Sequence, residues 1–156
     1  MRKIVLGLGN LLNCDEGVGV YALRQLAARR ASAVSEVEYL DGGTLGLNLL
    51  PLVEESSHLL LLDAVSAGQP PGTVVELRRD EIPLYSGVKL SQHQLTFQEV
   101  LGLALFRGKL PEHLHLVGVQ PDDLSIGVEL SACVAEALPQ VLDRAETVLR
   151  AWKLIP

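Results

Sequence analysis

The most restrictive feature of this sequence is the apolar run HLLLL at residues 58–62, which is followed directly by Asp63. An uninterrupted apolar run of this length is typical of a strand buried on both faces, as in a parallel sheet with helices on either side. Two apolar strands are predicted upstream, at Lys3 to Leu8 and at about Val37 to Leu40, and each leads into glycines and a helical pattern. This β-α-β-α-β order predicts parallel strands joined by right-handed crossovers.

Apolar side chains at helical spacing predict four helices, and one more strand precedes the last of them. The helices are expected at Glu16 to Arg30, from Thr44, from near Thr96, and at Leu130 to Trp152, and the strand at His113 to Val119. Thr96 and Glu99 have the spacing of a capping box. Leu45 and Leu105 are expected to face inward from the second and third helices, and Pro139 is expected to kink or restart the last helix.

The connection after the third strand breaks the parallel pattern. Only nine residues, AVSAGQPPG, separate Asp63 from Thr73. A parallel crossover needs a dozen or more residues, so Thr73 to Leu77 is predicted to run antiparallel. The expected fold is therefore one α/β domain over residues 1–156. It is a three-layer α/β/α sandwich with a mostly parallel five-stranded sheet and one antiparallel strand.

Composition excludes several function classes. The net charge of −6 and the absence of any Lys/Arg cluster argue against nucleic-acid binding. The apolar stretches are too short to span a bilayer, so no membrane partner is expected. Cys14 and Cys133 form no CxxC pair, and the first strand begins too early to leave room for a signal peptide. These features predict a cytoplasmic protein.

Four carboxylates follow the predicted parallel strands: Asp15 and Glu16 after the first, Asp41 after the second and Asp63 after the third. In open α/β sheets ligands bind beyond the carboxyl ends of the strands. A structural interpretation exists for each residue. Asp15 could cap a helix and Glu16 could favour the helix dipole, while Asp41 and Asp63 could bond amides in their turns.

The glycine turn GLGN at residues 7–10 raises the alternative of a Rossmann-like cofactor-binding module. The dinucleotide fingerprint requires a third glycine where Leu12 stands. Asp15 and Glu16 would also repel a pyrophosphate at the start of the helix. This alternative is therefore disfavoured.

Clustered carboxylates are costly unless a cation or a shared proton relieves them. His93 precedes the predicted third helix, and together with two carboxylates from separate loops it could form an open site for a first-row divalent ion. His58 is not expected to be a ligand, because it lies at a strand start, at the opposite end of the sheet from the carboxylates. His113 and His115 are not expected to be ligands either, since they alternate along the last strand and could face either the core or solvent. Cys14 is expected to be a packing residue, since its acidic neighbours oppose thiolate formation.

The sequence resembles the hydrogenase maturation proteases, which trim the C-terminus of nickel–iron hydrogenase large subunits. The resemblance lies in GLGNLLNCDEGVG (7–19), YLDGGTLGLNLL (39–50), LLLLDAVSAGQPPGTV (59–74), SQHQL (91–95) and GVQPDDLSIGVELS (118–131). Family members often carry a proline where Ala132 stands, a difference that affects only the start of the last helix.

The resemblance implies that Glu16, Asp63 and His93 are the metal ligands and that Asp41 is the acidic residue of the DGGT motif. It further implies a hydrogenase large-subunit precursor as partner, with nickel carried by that substrate as the recognition signal; other divalent ions can occupy the site. Two routes to peptide cleavage stay open. Either the metal polarises the carbonyl or a water, or Asp41 or Asp63 is the general base, as in an aspartyl protease. The alternative from a different class is a nickel-dependent checkpoint that binds the precursor without cutting it.

Overall fold

The structure is a computed structural model that describes residues 1–82, 89–90 and 92–156, with the backbone alone at 89–90 and 92–96. Along the chain the elements are β1 (Arg2–Leu8), α1 (Val18–Arg29), β2 (Val37–Gly43), α2 (Leu50–Glu55), β3 (Ser56–Ser66), β4 (Val74–Arg78), β5 (Lys89–Leu90), α3 (Gln92–Phe106), β6 (His113–Val119) and α4 (Ala132–Ala151). Short 3-10 helices at Cys14–Gly17 and Gly46–Leu49 precede α1 and α2.

Five strands of the described chain form the main sheet, in the order β2-β1-β3-β6-β4. The pairs β1–β2, β1–β3 and β3–β6 are parallel, and β4 is antiparallel to β6. The prediction of a mostly parallel sheet with one antiparallel strand is therefore confirmed. The two-residue strand β5 adds a short antiparallel pair to the end of β3, where Leu90 lies opposite Val65.

The core lies on both faces of this sheet. Side chains of β3 alternate between the faces: Leu60 and Leu62 pack with α1 and α4, whereas Leu59 and Leu61 pack with α2 and α3. All four leucines are at most 1% exposed. The apolar run therefore packs against helices on both faces of the sheet, which is why it lacks the apolar–polar alternation of a strand with one solvent-exposed face.

The short connection to β4 is held by one side chain of the β6 strand end. The Gln120 Oε1 accepts hydrogen bonds from the backbone N–H of Ala67 (2.7 Å) and Gln69 (3.3 Å). The backbone of Gln120 also pairs with Gly72 and Thr73. These bonds satisfy the turn that reverses the chain, so β4 can add to the sheet edge without a crossover helix.

Several predicted details of the helices are wrong. Helix α3 begins at Gln92, so Thr96 lies within the helix and does not cap it. Leu45 and Leu105 are 54% and 47% exposed and face solvent. Helix α4 does not restart at Pro139 but runs from Ala132 to Ala151, because a proline removes a single backbone donor and the flanking apolar face stays packed. None of the helices among the described residues is long and apolar enough to cross a membrane.

Candidate active site

The candidate site lies at the carboxyl end of β3. Asp63 is inside this strand, where sequence alone predicted a position just after it, and it is only 2% exposed. The Asp63 Oδ1 accepts a hydrogen bond from the backbone N–H of Ala64 at 2.8 Å. Its Cα pairs with that of Gly118 on β6. A carboxylate therefore lies buried near the carboxyl end of the central strand, where its desolvation would be costly without a charge-compensating partner.

The segment that bears Glu16 lies close to β3 because two glycines let the start of α1 approach the sheet closely. A Cβ at Gly19 would lie 2.1 Å from the carbonyl oxygen of Leu62 and 2.4 Å from that of Leu8, and a Cβ at Gly9 would lie 1.8 Å from the carbonyl oxygen of Glu16. Only glycine permits such contacts. The 3-10 helix that carries the half-buried Glu16 therefore packs against β3, the strand that contains Asp63.

The same glycines account for the GLGN turn without a phosphate. A Cβ at Gly9 or Gly19 would meet backbone carbonyl oxygens, so the close packing of the chain requires glycine at both positions. The turn serves to seat a helix on the strands. The structure therefore gives these glycines a packing role, and the carboxylate site stays a prediction.

The backbone brings His93 to the same end of the sheet. Leu90 on β5 pairs with Val65, two residues beyond Asp63, and α3 starts at Gln92 and contacts β5. His93 thus lies in the first turn of α3 and not in a loop before it. Its side chain lies outside the described residues, so the convergence of Glu16, Asp63 and His93 on one ion stays a prediction. Among the described residues no group of three His, Cys, Asp or Glu side chains could hold a metal.

Asp41 occupies the end of β2, the strand at the edge of the sheet. It is exposed, and its Oδ1 accepts a hydrogen bond from the backbone N–H of Gly43 at 2.8 Å. The Cα of Asp41 pairs with that of Gly7 on β1, so two strand spacings separate it from β3. The contact with Gly43 matches the turn-stabilising alternative; the catalytic role stays a prediction.

Asp15 belongs to the framework and not to the site. It is fully buried, and its carboxylate accepts four hydrogen bonds. The donors are the backbone N–H groups of Asp122 (2.9 Å), Asp123 (2.8 Å) and Ser131 (2.8 Å) and the Oγ of Ser131 (2.8 Å). It therefore does not cap its own helix, as one interpretation supposed. It holds segment 122–131, which lies within the GVQPDDLSIGVELS motif, against the start of α1.

Cys14 packs against this same segment. It is buried with a positive φ of 45°, and a Cβ at Gly127 would lie 2.8 Å from its sulfur. The backbone N–H of Cys14 donates to the carbonyl of Gly127 at 2.9 Å. The predicted packing role fits this environment. The pairing between the two segments was not predicted, and its only signal in the sequence is the joint presence of both motifs.

The imidazoles that were not expected to be ligands lie away from the site. His58 and His113 face each other across β3 and β6 at the amino ends of these strands, with ring centroids 4.2 Å apart. His115 bonds to Glu76 of β4 through its Nε2 at 2.8 Å. Burial first, and then the neighbouring His113, lowers the pKa of His58 below its ordinary value.

Comparison with known proteins places this architecture among related chains. A family model described as hydrogenase maturation protease matches residues 20–148. The hydrogenase expression/formation protein HupD of Rhizobium leguminosarum bv. viciae is 45% identical over 154 residues, which cover 97% of this chain and 75% of HupD. The hydrogenase 2 maturation protease of Escherichia coli K12 is 39% identical over 151 residues, covering 96% and 92% of the two chains.

Solved structures give the same result. The hydrogenase maturating endopeptidase HybD from E. coli superposes with a TM-score of 0.86 at 37% identity, covering 97% of this chain and 93% of HybD. The [NiFe] hydrogenase maturation protease HybD from Thermococcus kodakarensis has a TM-score of 0.77 at 27% identity, with 95% and 99% covered. The α/β fold predicted from the sequence is thus the fold of these endopeptidases.

Proposed function

Because this chain belongs to the hydrogenase maturation protease family and is a peptidase, we propose that it removes a C-terminal extension from the nickel-loaded precursor of a nickel–iron hydrogenase large subunit. In this proposal nickel held by the precursor is the recognition signal. The observation that carries the proposal is the buried Asp63 at the carboxyl end of β3, beside the 3-10 helix that bears Glu16.

Glu16, Asp63 and His93 are the proposed ligands that meet the substrate's nickel. Two carboxylates and one imidazole form a donor set suited to a first-row divalent ion, and three ligands leave positions for ligands from the substrate. Such a partial site would bind free metal weakly. It would bind a metal more strongly when the precursor supplies the remaining ligands, which gives nickel-dependent recognition a physical basis. Other divalent ions can occupy the same donors.

Two routes to peptide cleavage follow from the residues at the carboxyl ends of the parallel strands. In the first, the substrate's nickel polarises the scissile carbonyl or a water molecule, and Glu16 and Asp63 hold that ion in place. In the second, a carboxylate is the general base that takes a proton from the attacking water, as in an aspartyl protease. Asp63 and Asp41 are the proposed candidates for that base.

Position distinguishes these two candidates. Asp63 is buried on the central strand β3, which contacts the 3-10 helix that bears Glu16, whereas Asp41 is exposed on the edge strand and bonds to Gly43. Asp41→Asn tests its role directly. If Asp41 is the general base, the variant should bind nickel-loaded precursor normally and cut it at least 100-fold more slowly. If Asp41 only stabilises its turn, cleavage should stay within about tenfold of wild type.

We further propose that the reaction takes place in the cytoplasm. Both Cys14 and Cys133 are free thiols, and free thiols persist in reducing compartments.

The test is incubation of the protein with the large-subunit precursor encoded in the same genome, purified with and without nickel. Intact-mass spectrometry should show loss of a C-terminal fragment from the nickel-loaded precursor only. Equal cleavage of both precursors would refute nickel recognition. A stable complex with the nickel-loaded precursor and no loss of mass would favour the non-catalytic checkpoint instead.

A further inference from the structure

Four exposed apolar side chains lie on two segments that adjoin the candidate active site. Leu12, Leu124, Ile126 and Val128 are 62%, 43%, 91% and 62% exposed, and we refer to them as the apolar rim. Large apolar side chains gathered on a monomer's surface are typical of an interaction site.

Backbone hydrogen bonds join these two segments. The N–H of Gly127 donates to the carbonyl of Leu12 at 2.8 Å, and the N–H of Cys14 donates to the carbonyl of Gly127 at 2.9 Å. The Nδ2 of Asn13 also donates to the carbonyl of Leu124 at 3.2 Å. Leu12, Leu124, Ile126 and Val128 therefore lie on two segments that are hydrogen-bonded to each other.

The apolar rim is held in place from beneath. Asp15 fastens Asp122, Asp123 and Ser131 at both ends of the second segment, and the Tyr21 hydroxyl donates to the carbonyl of Val128 at 2.8 Å. A surface that is already ordered loses little conformational entropy when a partner binds. The backbone that carries these apolar side chains is thus preorganised for binding a partner.

The apolar rim borders the proposed metal ligands. The N–H of Glu16 donates to the carbonyl of Asn13 at 3.0 Å, and Leu12 is the residue before Asn13. A polypeptide that places its scissile bond at Glu16 and Asp63 therefore passes over or beside the apolar rim. The apolar rim therefore adjoins the segment that bears Glu16.

The surroundings of the apolar rim are acidic. The sequence contains no Lys or Arg between Lys3 and Arg24 or between Lys109 and Arg144. Asp122, Asp123 and Glu129 are exposed beside the apolar residues. Hydrogen bonds from the Ser125 hydroxyl and backbone N–H lower the pKa of Asp123, so that this carboxylate stays ionised.

We propose that the apolar rim binds an apolar segment of the precursor that is flanked by basic residues, and that this contact guides the scissile bond to Glu16 and Asp63. The proposal rests on the proposed function. Charge favours this occupant over a second copy of the chain, because self-association would bring two acidic surfaces together on a protein of net charge −6. An anionic lipid surface is disfavoured for the same reason.

The test compares the double variant Ile126→Ser/Val128→Ser with two matched controls, Val34→Ser and Phe106→Ser. The control side chains are 106% and 88% exposed and lie at the opposite end of the sheet. All variants should melt within a few degrees of wild type, because each replaced side chain is on the surface. Initial cleavage rates are measured over a range of concentrations of the nickel-loaded precursor.

We expect the double variant to raise KM at least tenfold while kcat stays within about threefold, and both controls to match wild type. Raising the salt concentration should raise the wild-type KM, and Glu129→Gln should reduce that dependence. An unchanged KM in the double variant, or an equal rise in the controls, would overturn the proposal.

Failure of this proposal and failure of the proposed function give different results. If wild type does not cut the precursor, the proposed function fails, and binding of the same precursor by calorimetry then decides the role of the apolar rim. Loss of binding in the double variant alone would support that role, whereas equal binding by all variants, or binding by none, would overturn it. A wild-type dimer in sedimentation that the double variant abolishes would also overturn it, because a second copy would then be the occupant.

Discussion

Asp15 is a buried structural carboxylate and its neighbour Glu16 is a proposed metal ligand, and replacing each by alanine should separate these two roles. Asp15 is fully buried and accepts four hydrogen bonds from Asp122, Asp123 and Ser131. Asp15→Ala removes the acceptor and leaves these donors facing a cavity. Glu16 is half-buried at the surface of the site.

The expected cost of Asp15→Ala follows from these contacts. Hydrogen bonds to a charged group contribute roughly 1.5–3 kcal/mol each, and water that enters the cavity recovers part of the loss. Removing one partner from a buried charged network typically costs about 3–5 kcal/mol. In a chain of this size each kcal/mol lowers the melting temperature by roughly 2–4 °C, so a fall of roughly 6–20 °C is expected. Glu16→Ala should change stability by about 1 kcal/mol or less.

Differential scanning calorimetry of the two variants and of wild type at pH 7 gives the comparison. Far-UV circular dichroism checks that Asp15→Ala still folds before it is heated. If Asp15→Ala melts within about 2 °C of wild type, the four bonds do not hold segment 122–131 as argued. If Glu16→Ala is the less stable variant, the assignment of roles to the two carboxylates is wrong.

Two further predictions concern packing and pH. Gly19→Ala would place a Cβ 2.1 Å from the Leu62 carbonyl oxygen, so α1 must move by about 1 Å. The substitution should lower the free energy of unfolding by roughly 1–3 kcal/mol, and the displacement of Glu16 should slow precursor cleavage about 100-fold. Cleavage at the wild-type rate would show that α1 is not closely packed on β3 at this position. Because the pKa of His58 is lowered in the folded state, the unfolded chain takes up the proton first as the pH falls. The free energy of unfolding should therefore decrease as the pH drops from 6.5 towards the folded-state pKa. Urea titrations at pH 7.5 and 5.5 should show a smaller decrease for His58→Gln than for wild type, and an identical decrease in both proteins would contradict this prediction.

The sheet could be predicted well because strong local signals determine it. The apolar run of β3 admits few environments other than a strand covered on both faces. The orientation of β4 follows from chain length alone, since nine residues between Asp63 and Thr73 cannot form a crossover. Both inferences depend on geometry that tertiary packing cannot override.

Helix boundaries and the roles of single carboxylates could not be predicted in the same way. The Thr96 and Glu99 spacing resembles a helix start, yet α3 begins four residues earlier, because the pattern does not exclude an extra turn before it. The role of Asp15 depends on donors more than 100 residues away in the chain. The close seat of Gly19 on β3 likewise depends on a contact between distant segments.

The place of the candidate site in the fold followed from the sequence, whereas the roles of Glu16, Asp63 and His93 stay predictions. The carboxyl ends of the parallel strands bring Glu16 and Asp63 to one region, as the strand order requires. The distinction between Asp15 and Glu16 could not be drawn, because alternating burial at a 3-10 helix has no clear sequence signature. Resemblance to the family, and not periodicity, identified Glu16 as a proposed ligand.

The central claim is that Glu16, Asp63 and His93 meet the nickel of the substrate, and single-turnover cleavage of nickel-loaded precursor by ligand variants tests it most directly. Glu16→Gln, Asp63→Asn and His93→Ala should each lose cleavage by at least 100-fold and bind the nickel-loaded precursor no better than the nickel-free one. Glu136→Gln, which replaces an exposed carboxylate on α4, is the matched control and should cut normally. Normal cleavage by the three ligand variants would contradict the claim.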